Sequence, residues 1–246
     1  MNIGLLGFGV VGGGVWELAQ ENRALNVKKV LVRREAPPLG KAAVQDVEAI
    51  LRDTDIDTVV EVLGGLHPAY EWICRALAAG KDVVTANKAV ISAYYRELTA
   101  LAHENGAALR CTAAVGGGIP WLVNLQRCRR VDTVTEVGGI MNGTTNFIMD
   151  AMARQGADFP AVLQRAQELG YAEADPSADI DGDDIRRKLT ISANIAFDAL
   201  LREEDIPAFG IRTVTGADMK DFRAHGFTCK LLACAQRTET DRKSVV

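Results

Sequence analysis

The first half of the chain alternates short apolar runs with longer stretches in which apolar residues recur every three or four positions. Short apolar runs bounded by glycine or proline predict strands, and the longer periodic stretches predict helices. The predicted strands cover residues 2–6, 27–32, 57–63, 82–85 and 107–113. The predicted helices cover a stretch around residues 15–19, residues 47–51, residues 69–79, and a stretch from residue 88 to near residue 105. Strands that alternate with helices indicate a parallel, doubly wound sheet, in which ligands bind beyond the carboxyl ends of the strands.

The pattern changes after residues 115–120, where the segment VGGGIP interrupts regular structure. Beyond residue 131 we predict strands at residues 134–143 and 227–236, and helices at residues 144–156, 159–169 and 189–201. This part mixes strands and helices without alternating them, which is typical of an α+β domain. We therefore predict two domains, residues 1–128 and residues 129–246.

A glycine motif follows the first predicted strand directly. Gly7, Gly9 and Gly12 stand in the segment GFGVVG, and a helical pattern comes next. In a dinucleotide fold the first glycine permits a tight turn, the second lets the backbone approach a pyrophosphate, and the third lets helix and strand pack closely. Val10 and Val11 complete the motif, and we predict that all five residues contact a cofactor. The first domain is thus predicted to be a Rossmann-type α/β domain, the alternative being a purely structural glycine turn.

Two arginines lie where the second predicted strand ends. A site selective for NAD places Asp or Glu near this point, to bind the ribose 2′-hydroxyl group. Here the residues are Arg33 and Arg34, whose guanidinium groups suit a 2′-phosphate. We therefore expect NADP as the cofactor, with NAD as the other candidate. The alternative is that both arginines only form a solvated rim.

An acidic segment precedes the most apolar helix of the second half. Six carboxylates fall between Glu173 and Asp184, and Lys188 follows just before the uncharged run LTISANIAF. Because Asp184 and Lys188 are four residues apart, they share one face of that helix. Burial lowers the pKa of a lysine and a carboxylate neighbour raises it, so this pair could hold and tune a proton donor. The alternative is an ordinary ion pair at a helix start. An EF-hand is excluded, because Lys188 would occupy the position that requires glutamate.

Lys88 follows the fourth predicted strand in the segment TANK at residues 85–88, at the carboxyl end of the predicted sheet. This position predicts a ligand-binding or catalytic lysine. A solvated lysine at a helix start is the alternative.

The bulk composition excludes several classes of function. The chain has 246 residues, 48% hydrophobic and 24% charged, with a formal net charge of -4. It therefore has no basic footprint for nucleic acid. No apolar run reaches the roughly 18 residues that a membrane helix needs, and no signal peptide begins the chain, so we expect a cytoplasmic protein.

The five cysteines lack CxxC spacing and are predicted to be reduced, mostly in the core. With only three histidines, none at helical spacing from another, a transition-metal site is not expected.

Five segments in this order resemble the homoserine dehydrogenase family. They are GFGVVG, GKDVVTANK, VGGGIP, GIMNGTTNFI and LGYAEADPSADIDGDDIRRKL, spread over residues 7–189. The resemblance implies the NAD(P)-dependent interconversion of L-aspartate 4-semialdehyde and L-homoserine, in the biosynthesis of threonine, methionine and isoleucine. It implies that residues 129–246 bind substrate and form a homodimer through their sheet.

The resemblance also implies roles for individual residues. Lys188 resembles the proton donor to the aldehyde oxygen, and Lys88 resembles a second lysine close to nicotinamide and substrate. Glu173, Asp179 and Asp184 resemble carboxylates that bind the substrate's amino group and order the site, and Gly170 resembles a position that contacts the cofactor.

The chain departs from the family pattern in two respects. The family often has a glutamate in a monovalent-cation site, where this chain has Thr112. The carbonyls of Val115, Gly117 and Ile119 remain, so a sodium site is implied in weakened form. Family members also continue beyond the point where this sequence ends, so we expect a substrate domain shortened at its C-terminal end. Two alternatives to the family reaction stay open: a fragment that binds dinucleotide without turnover, and another nicotinamide oxidoreductase acting on a small amino-acid aldehyde.

Overall fold

A computed structural model describes residues 1–34 and 36–238 of the chain. The contacts between Cα atoms divide it into two compact units, Met1–Val123 and Asn124–Val246. This division falls inside helix α5, Trp121–Cys128, whose end was the predicted domain boundary.

The first unit is built on a parallel sheet of six strands, in the order β3-β2-β1-β4-β5-β6. The strands are β1 Asn2–Leu6, β2 Asn26–Leu31, β3 Ala43–Val44, β4 Thr58–Glu61, β5 Asp82–Thr85 and β6 Leu109–Arg110. The helices are α1 Val10–Glu21, α2 Glu48–Leu51, α3 Ala69–Ala78, α4 Lys88–Glu104 and the beginning of α5. The predicted doubly wound α/β fold is confirmed.

The sheet differs from the prediction at its two edges. Residues 37–42, between the predicted strand at 27–32 and the predicted helix at 47–51, form a 3₁₀ helix, and β3 follows it as a short parallel partner of β2. The predicted strand at residues 107–113 is only Leu109–Arg110, because only these two residues pair with β5. A 3₁₀ helix, Thr112–Ala114, takes the remaining residues.

Strand β4 lies in the centre of the sheet, and its burial accounts for the apolar sequence around residues 58–61. All four of its residues are buried, as expected for a parallel strand that is covered on both faces. Its Val60 packs with Ile3, Leu5, Val27 and Val30 in one buried cluster that joins β1, β2 and β4. The carboxyl ends of β1, β4 and β5 are thereby held in fixed register, at the edge where the glycine turn and the segment TANK lie.

The second unit packs helices against a two-stranded antiparallel sheet. Its strands are β7 Glu136–Gly139 and β8 Ala233–Gln236. Its helices are α6 Gly143–Gln155, α7 Phe159–Glu168, α8 Ser177–Ile180, α9 Asp183–Phe197 and α10 Gly216–Ala224. The predicted strands at 134–143 and 227–236 were too long, because the ladder joins only four residue pairs. The apolar run at residues 189–197 lies in α9, which ends at Phe197 and not at residue 201.

Two cysteines bear on the prediction that the cysteines are reduced and mostly in the core. All five cysteines are free, and Cys111 is buried, with burial raising the pKa of its thiol to about 11. Cys128 is exposed and lies outside the core. Within the described part of the chain, no helix combines the length and apolar character needed to cross a membrane.

Candidate active site

The glycine turn connects β1 to α1 with little room for side chains. Gly7 has a φ of 107°, a conformation that favours glycine. A Cβ atom on Gly12 would lie 2.2 Å from the Gly7 carbonyl oxygen, whereas a Cβ atom on Gly9 would meet nothing within 4 Å. Gly12 thus allows the helix to approach the turn, and Gly9 leaves open space beside the backbone. These are the properties expected of a pyrophosphate-binding loop.

The N-terminus of α1 is exposed at this turn. Gly9 is the N-cap residue, and no side chain caps the helix. Val10 and Val11 are 97% and 56% exposed. Because the first N–H groups of a helix have no partners within it, they can bind an anion such as a phosphate. Arg33 and Arg34 are also exposed, just beyond the carboxyl end of β2. The residues present therefore fit a dinucleotide cofactor.

Glu61 organises the carboxyl ends of β4 and β5. Its side chain is fully buried and accepts hydrogen bonds from Thr85 Oγ1 at 2.6 Å and from the Leu63 N–H at 2.8 Å. Asn87 Nδ2 donates to Glu61 Oε1 at 3.4 Å and to the Gly65 carbonyl at 2.7 Å. A buried carboxylate with these donors fixes the segment that joins β5 to α4.

Lys88 is the first residue of α4, directly after this fixed segment. Asn87 is the N-cap residue, and its Oδ1 accepts from the Val90 N–H at 3.3 Å. The backbone position of Lys88 is therefore set by Asn87 and, through it, by Glu61. Sequence reasoning missed Glu61, although a single acidic residue inside the apolar run TVVEVL is a signal for a buried polar role.

Asp184 and Lys188 form the predicted ion pair near the beginning of α9. Lys188 Nζ lies 2.6 Å from Asp184 Oδ2, and the exposed fractions of the two side chains are 18% and 8%. Lys188 Nζ also donates to the Met141 carbonyl oxygen at 2.6 Å. A half-buried ammonium group with one carboxylate and one carbonyl is held in a defined place, as a positioned proton donor needs to be.

Asn142 joins this pair to Asp179. Its Nδ2 donates to Asp179 Oδ1 at 2.6 Å and to Asp184 Oδ2 at 2.9 Å. Its Oδ1 accepts from the Thr145 N–H at 2.8 Å, which caps α6. Asn142 lies in the segment GIMNGTTNFI, but sequence reasoning gave it no role in the site.

Other residues of the predicted site lie at the surface of the second unit. Gly170 follows α7 with a φ of 77° and is exposed. Glu173 is exposed as well, and its backbone carbonyl accepts from Gln167 Nε2 at 3.1 Å. Asp181, also in the acidic segment, pairs with Arg212, which holds the pKa of that carboxyl below its usual value.

The residues of the predicted sodium site form a turn. The Ile119 N–H donates to the Gly116 carbonyl at 3.0 Å, and the Ile119 carbonyl accepts from the Trp121 N–H at 2.7 Å. Thr112 begins the 3₁₀ helix that precedes this turn. Among residues 1–34 and 36–238, no three His, Cys, Asp or Glu side chains are grouped so that they could hold a metal ion.

Two family models match this chain in sequence order. The homoserine dehydrogenase NAD-binding domain matches residues 7–112, and the homoserine dehydrogenase model matches residues 120–245. The chain belongs to the homoserine dehydrogenase family.

Known members of the family are similar along almost the whole chain. Homoserine dehydrogenase from Synechocystis sp. is 43% identical over 96% of this chain, and the one from Bacillus subtilis is 38% identical over 96%. A homoserine dehydrogenase structure from Thiobacillus denitrificans has a TM-score of 0.90 at 38% identity and covers 97% of this chain. A hyperthermophilic archaeal homoserine dehydrogenase, solved in complex with NADPH, has a TM-score of 0.81 at 25% identity and covers 96%.

The matched relatives are longer than this chain. The chain spans 57% of the Synechocystis protein, 58% of the Bacillus subtilis protein and 58% of the Thiobacillus denitrificans chain. It spans 78% of the archaeal chain.

Proposed function

We propose that this chain catalyses the homoserine dehydrogenase reaction, the reversible NAD(P)-dependent reduction of L-aspartate 4-semialdehyde to L-homoserine. The observation that carries the proposal is the half-buried pair of Asp184 and Lys188, with Asp179 linked to it through Asn142. A lysine ammonium beside two carboxylates suits a substrate that carries an amino group and forms an alkoxide. Family membership supports the same reaction.

Lys188 is the proposed proton donor. Its ammonium group has three N–H donors, and two are used by Asp184 and the Met141 carbonyl. Among the described residues the third N–H has no acceptor, and we assign it to the substrate oxygen, to which Lys188 donates a proton during reduction and from which it accepts one during oxidation. A bound nicotinamide cofactor supplies or accepts the hydride. Asp184 holds Lys188 in place and stabilises its charge.

The carboxylates of Asp179, Asp184 and Glu173 are proposed to bind the substrate's amino group. An ammonium ion is recognised by several negatively charged acceptors. Asp179 and Asp184 already lie close together, because both accept hydrogen bonds from the side-chain amide of Asn142. Lys88 is proposed to lie close to nicotinamide and substrate, and Gly170 to contact the cofactor. The exposed glycine lacks a side chain that would hinder such an approach.

NADP is the proposed cofactor, with NAD as the other candidate. Two exposed arginines follow β2, and two guanidinium groups favour the doubly charged 2′-phosphate over a neutral hydroxyl. The exposed α1 N-terminus and the open space beside Gly9 suit the pyrophosphate. An archaeal relative has been solved with NADPH, which supports the same preference.

Sodium is proposed only as an ion bound by neutral oxygens. The carbonyls of Val115, Gly117 and Ile119 supply three ligands, and Thr112 supplies no negative charge. Such a site suits a monovalent cation bound with low affinity, and replacing NaCl by KCl at constant ionic strength should change the rate only modestly.

We also propose a homodimer formed through the sheet of β7 and β8.

The experiment that tests the function is turnover by the purified chain. NADPH or NADH formation is followed with L-homoserine, with NADP⁺ or NAD⁺ binding measured alongside. 4-Hydroxybutyrate, which lacks the amino group, is the matched substrate control and should react far more slowly, because the carboxylates then have no ammonium group to bind. Binding without turnover would instead favour a dinucleotide-binding fragment. Equal rates with both alcohols would favour another nicotinamide oxidoreductase.

A further inference from the structure

The side chain of Asn142 makes hydrogen bonds at both ends of its amide group. Its Nδ2 donates to Asp179 Oδ1 at 2.6 Å and to Asp184 Oδ2 at 2.9 Å. Its Oδ1 accepts from the N–H of Thr145 at 2.8 Å and from Thr145 Oγ1 at 3.0 Å. Asn142 is only 6% exposed, so these partners and not water satisfy its amide. One planar group therefore ties the start of α6 to two carboxylates of the acidic segment.

Capping of α6 alone does not explain why an asparagine stands here. Ser, Thr and Asp cap helices about as well as Asn, because the cap needs only a side-chain oxygen. Thr215 caps α10 in this way, by accepting from the Asp218 N–H at 3.2 Å. Of the common capping residues, only Asn also carries two N–H donors, and in Asn142 both of these donors are bonded to carboxylates.

The two N–H donors of Asn142 reduce the electrostatic repulsion between Asp179 and Asp184. Asp179 and Asp184 bring their negative charges to the same nitrogen atom, and like charges at this separation repel one another. A neutral amide that donates to both carboxylates offsets this repulsion without removing either charge. An aspartate at this position would keep the cap and the size but would add a third negative charge.

The residue before Asn142 holds the other half of the ion pair. The Met141 carbonyl accepts from Lys188 Nζ at 2.6 Å, while the Asn142 amide holds Asp184. Residues 141 and 142 are adjacent in the chain, so both anchoring groups belong to one short segment at the start of α6. The side-chain amide of Asn142 thereby controls where Asp184, and with it Lys188, can lie.

We propose that Asn142 is a positioning residue for catalysis, which holds Asp184 and, through it, Lys188 in the geometry that proton transfer requires. The inference rests on the proposed function of the Asp184–Lys188 pair. It assigns Asn142 no contact with substrate or cofactor. Its effect is on the orientation of groups that make those contacts.

Two substitutions separate the donors of Asn142 from its capping oxygen. Asn142→Ser keeps an oxygen for the cap and the net charge, but its side chain cannot bridge both carboxylates. Asn142→Asp keeps the cap and the size but loses both donors. We expect each variant to remain folded and to lower kcat for homoserine oxidation by about 100-fold, the scale of a misplacement near 1 Å. The KM for NADP⁺ should stay within about twofold, since the proposal assigns Asn142 no contact with the cofactor.

Thr215→Ala is the matched control. It removes a helix cap in the same unit at a residue that is not bonded to Asp179, Asp184 or Lys188. If Asn142 served only to stabilise the fold, Thr215→Ala and Asn142→Ser would lower kcat equally at equal loss of thermal stability. That result would overturn the proposal, and so would unchanged kcat in both Asn142 variants.

A second readout does not depend on turnover. The rate at which Lys188 is acetylated by an amine-reactive reagent is measured by mass spectrometry, with the exposed Lys220 as internal reference. Release of Asp184 in Asn142→Ser should raise the labelling of Lys188 several-fold, while Thr215→Ala leaves it unchanged. If the unsubstituted chain does not oxidise homoserine, the proposed function fails, and labelling still decides the role of Asn142. Equal labelling of Lys188 in the unsubstituted chain and in Asn142→Ser would overturn the proposal that Asn142 positions Lys188.

Discussion

The residue that the proposed chemistry depends on most is Lys188. An exposed lysine holds its proton tightly and samples many rotamers, so it is a poor donor at a defined point. Lys188 is only 18% exposed on its side chain and is anchored by Asp184 and by a backbone carbonyl. Among the residues that the structure describes, these two acceptors leave the third ammonium N–H without a partner. That donor can point at a substrate oxygen.

Lys188→Ala should lower kcat for homoserine oxidation by about 10²- to 10⁴-fold, the usual contribution of a general acid or base. The dissociation constant of NADP⁺ should be nearly unchanged, because Lys188 is not part of the glycine turn. Steady-state kinetics and cofactor fluorescence titration measure the two quantities. The matched control is Lys220→Ala, which removes an exposed lysine from α10 and should leave both unchanged. A Lys188→Ala variant with unaltered kcat would remove Lys188 from the mechanism.

Arg33 and Arg34 make a separate prediction about the choice of cofactor. Replacing both by Ala should weaken NADP⁺ binding by about 10- to 100-fold, because the charge-assisted bonds to the 2′-phosphate are lost. NAD⁺ has a hydroxyl group at that position, so its binding should change little. Titration of the variant with both cofactors measures the difference. Arg23→Ala, an exposed arginine of the same unit, is the control. Equal losses for the two cofactors would argue against selection by these arginines.

At the scale of elements, α1 depends on close contact with the glycine turn. A Cβ atom on Gly12 would lie 2.2 Å from the Gly7 carbonyl oxygen, and backbone cannot move aside as the end of a side chain can. Gly14 lies in the same helix, and a Cβ atom there would meet nothing within 4 Å. The two glycines therefore separate the effect of packing from the general effect of replacing glycine in a helix.

Gly12→Ala should lower the free energy of unfolding by about 1–3 kcal/mol, the usual cost of overpacking. Gly14→Ala should raise it by as much as about 1 kcal/mol, since alanine favours the helix over glycine. Urea unfolding without cofactor measures both changes. Gly12→Ala should also weaken NADP⁺ binding, because the helix is displaced from the turn. Equal stability of the two variants would contradict the packing role of Gly12.

The elements and contacts that sequence predicted well are local in the chain. The glycine turn after β1 and the four-residue spacing of Asp184 and Lys188 need no knowledge of what packs against them. The contacts of Asn142 with Asp184 and of Glu61 with Thr85 join residues 42 and 24 positions apart. Hydrophobic periodicity gives no information on which distant polar groups meet. The same limit explains β6 and β8, whose lengths are set by their partners and not by their own apolar runs.

For the whole molecule, the two-stranded sheet of the second unit bears on assembly. An isolated pair of strands is marginally stable. Within residues 1–34 and 36–238, each strand of this sheet has an outer edge that no other strand pairs with, and such an edge can pair with another chain. Leu232, which directly precedes β8, is 61% exposed. An exposed large apolar residue beside an open edge is a feature of sites where a second protein surface is buried. The proposed homodimer would cover this part of the second unit.

The mass in solution tests this assembly. The chain has a mass of 26.5 kDa, so light scattering should give twice that value for the homodimer. Leu232→Lys should shift the mass towards 26.5 kDa, because dimer formation would then bury a charge without a partner. Leu18→Lys is the matched control, since Leu18 lies on α1 of the first unit and is 64% exposed. It should stay dimeric, with the same circular dichroism spectrum. A monomeric mass for the unsubstituted chain would contradict the dimer, while a dimeric Leu232→Lys variant would place the interface away from β8.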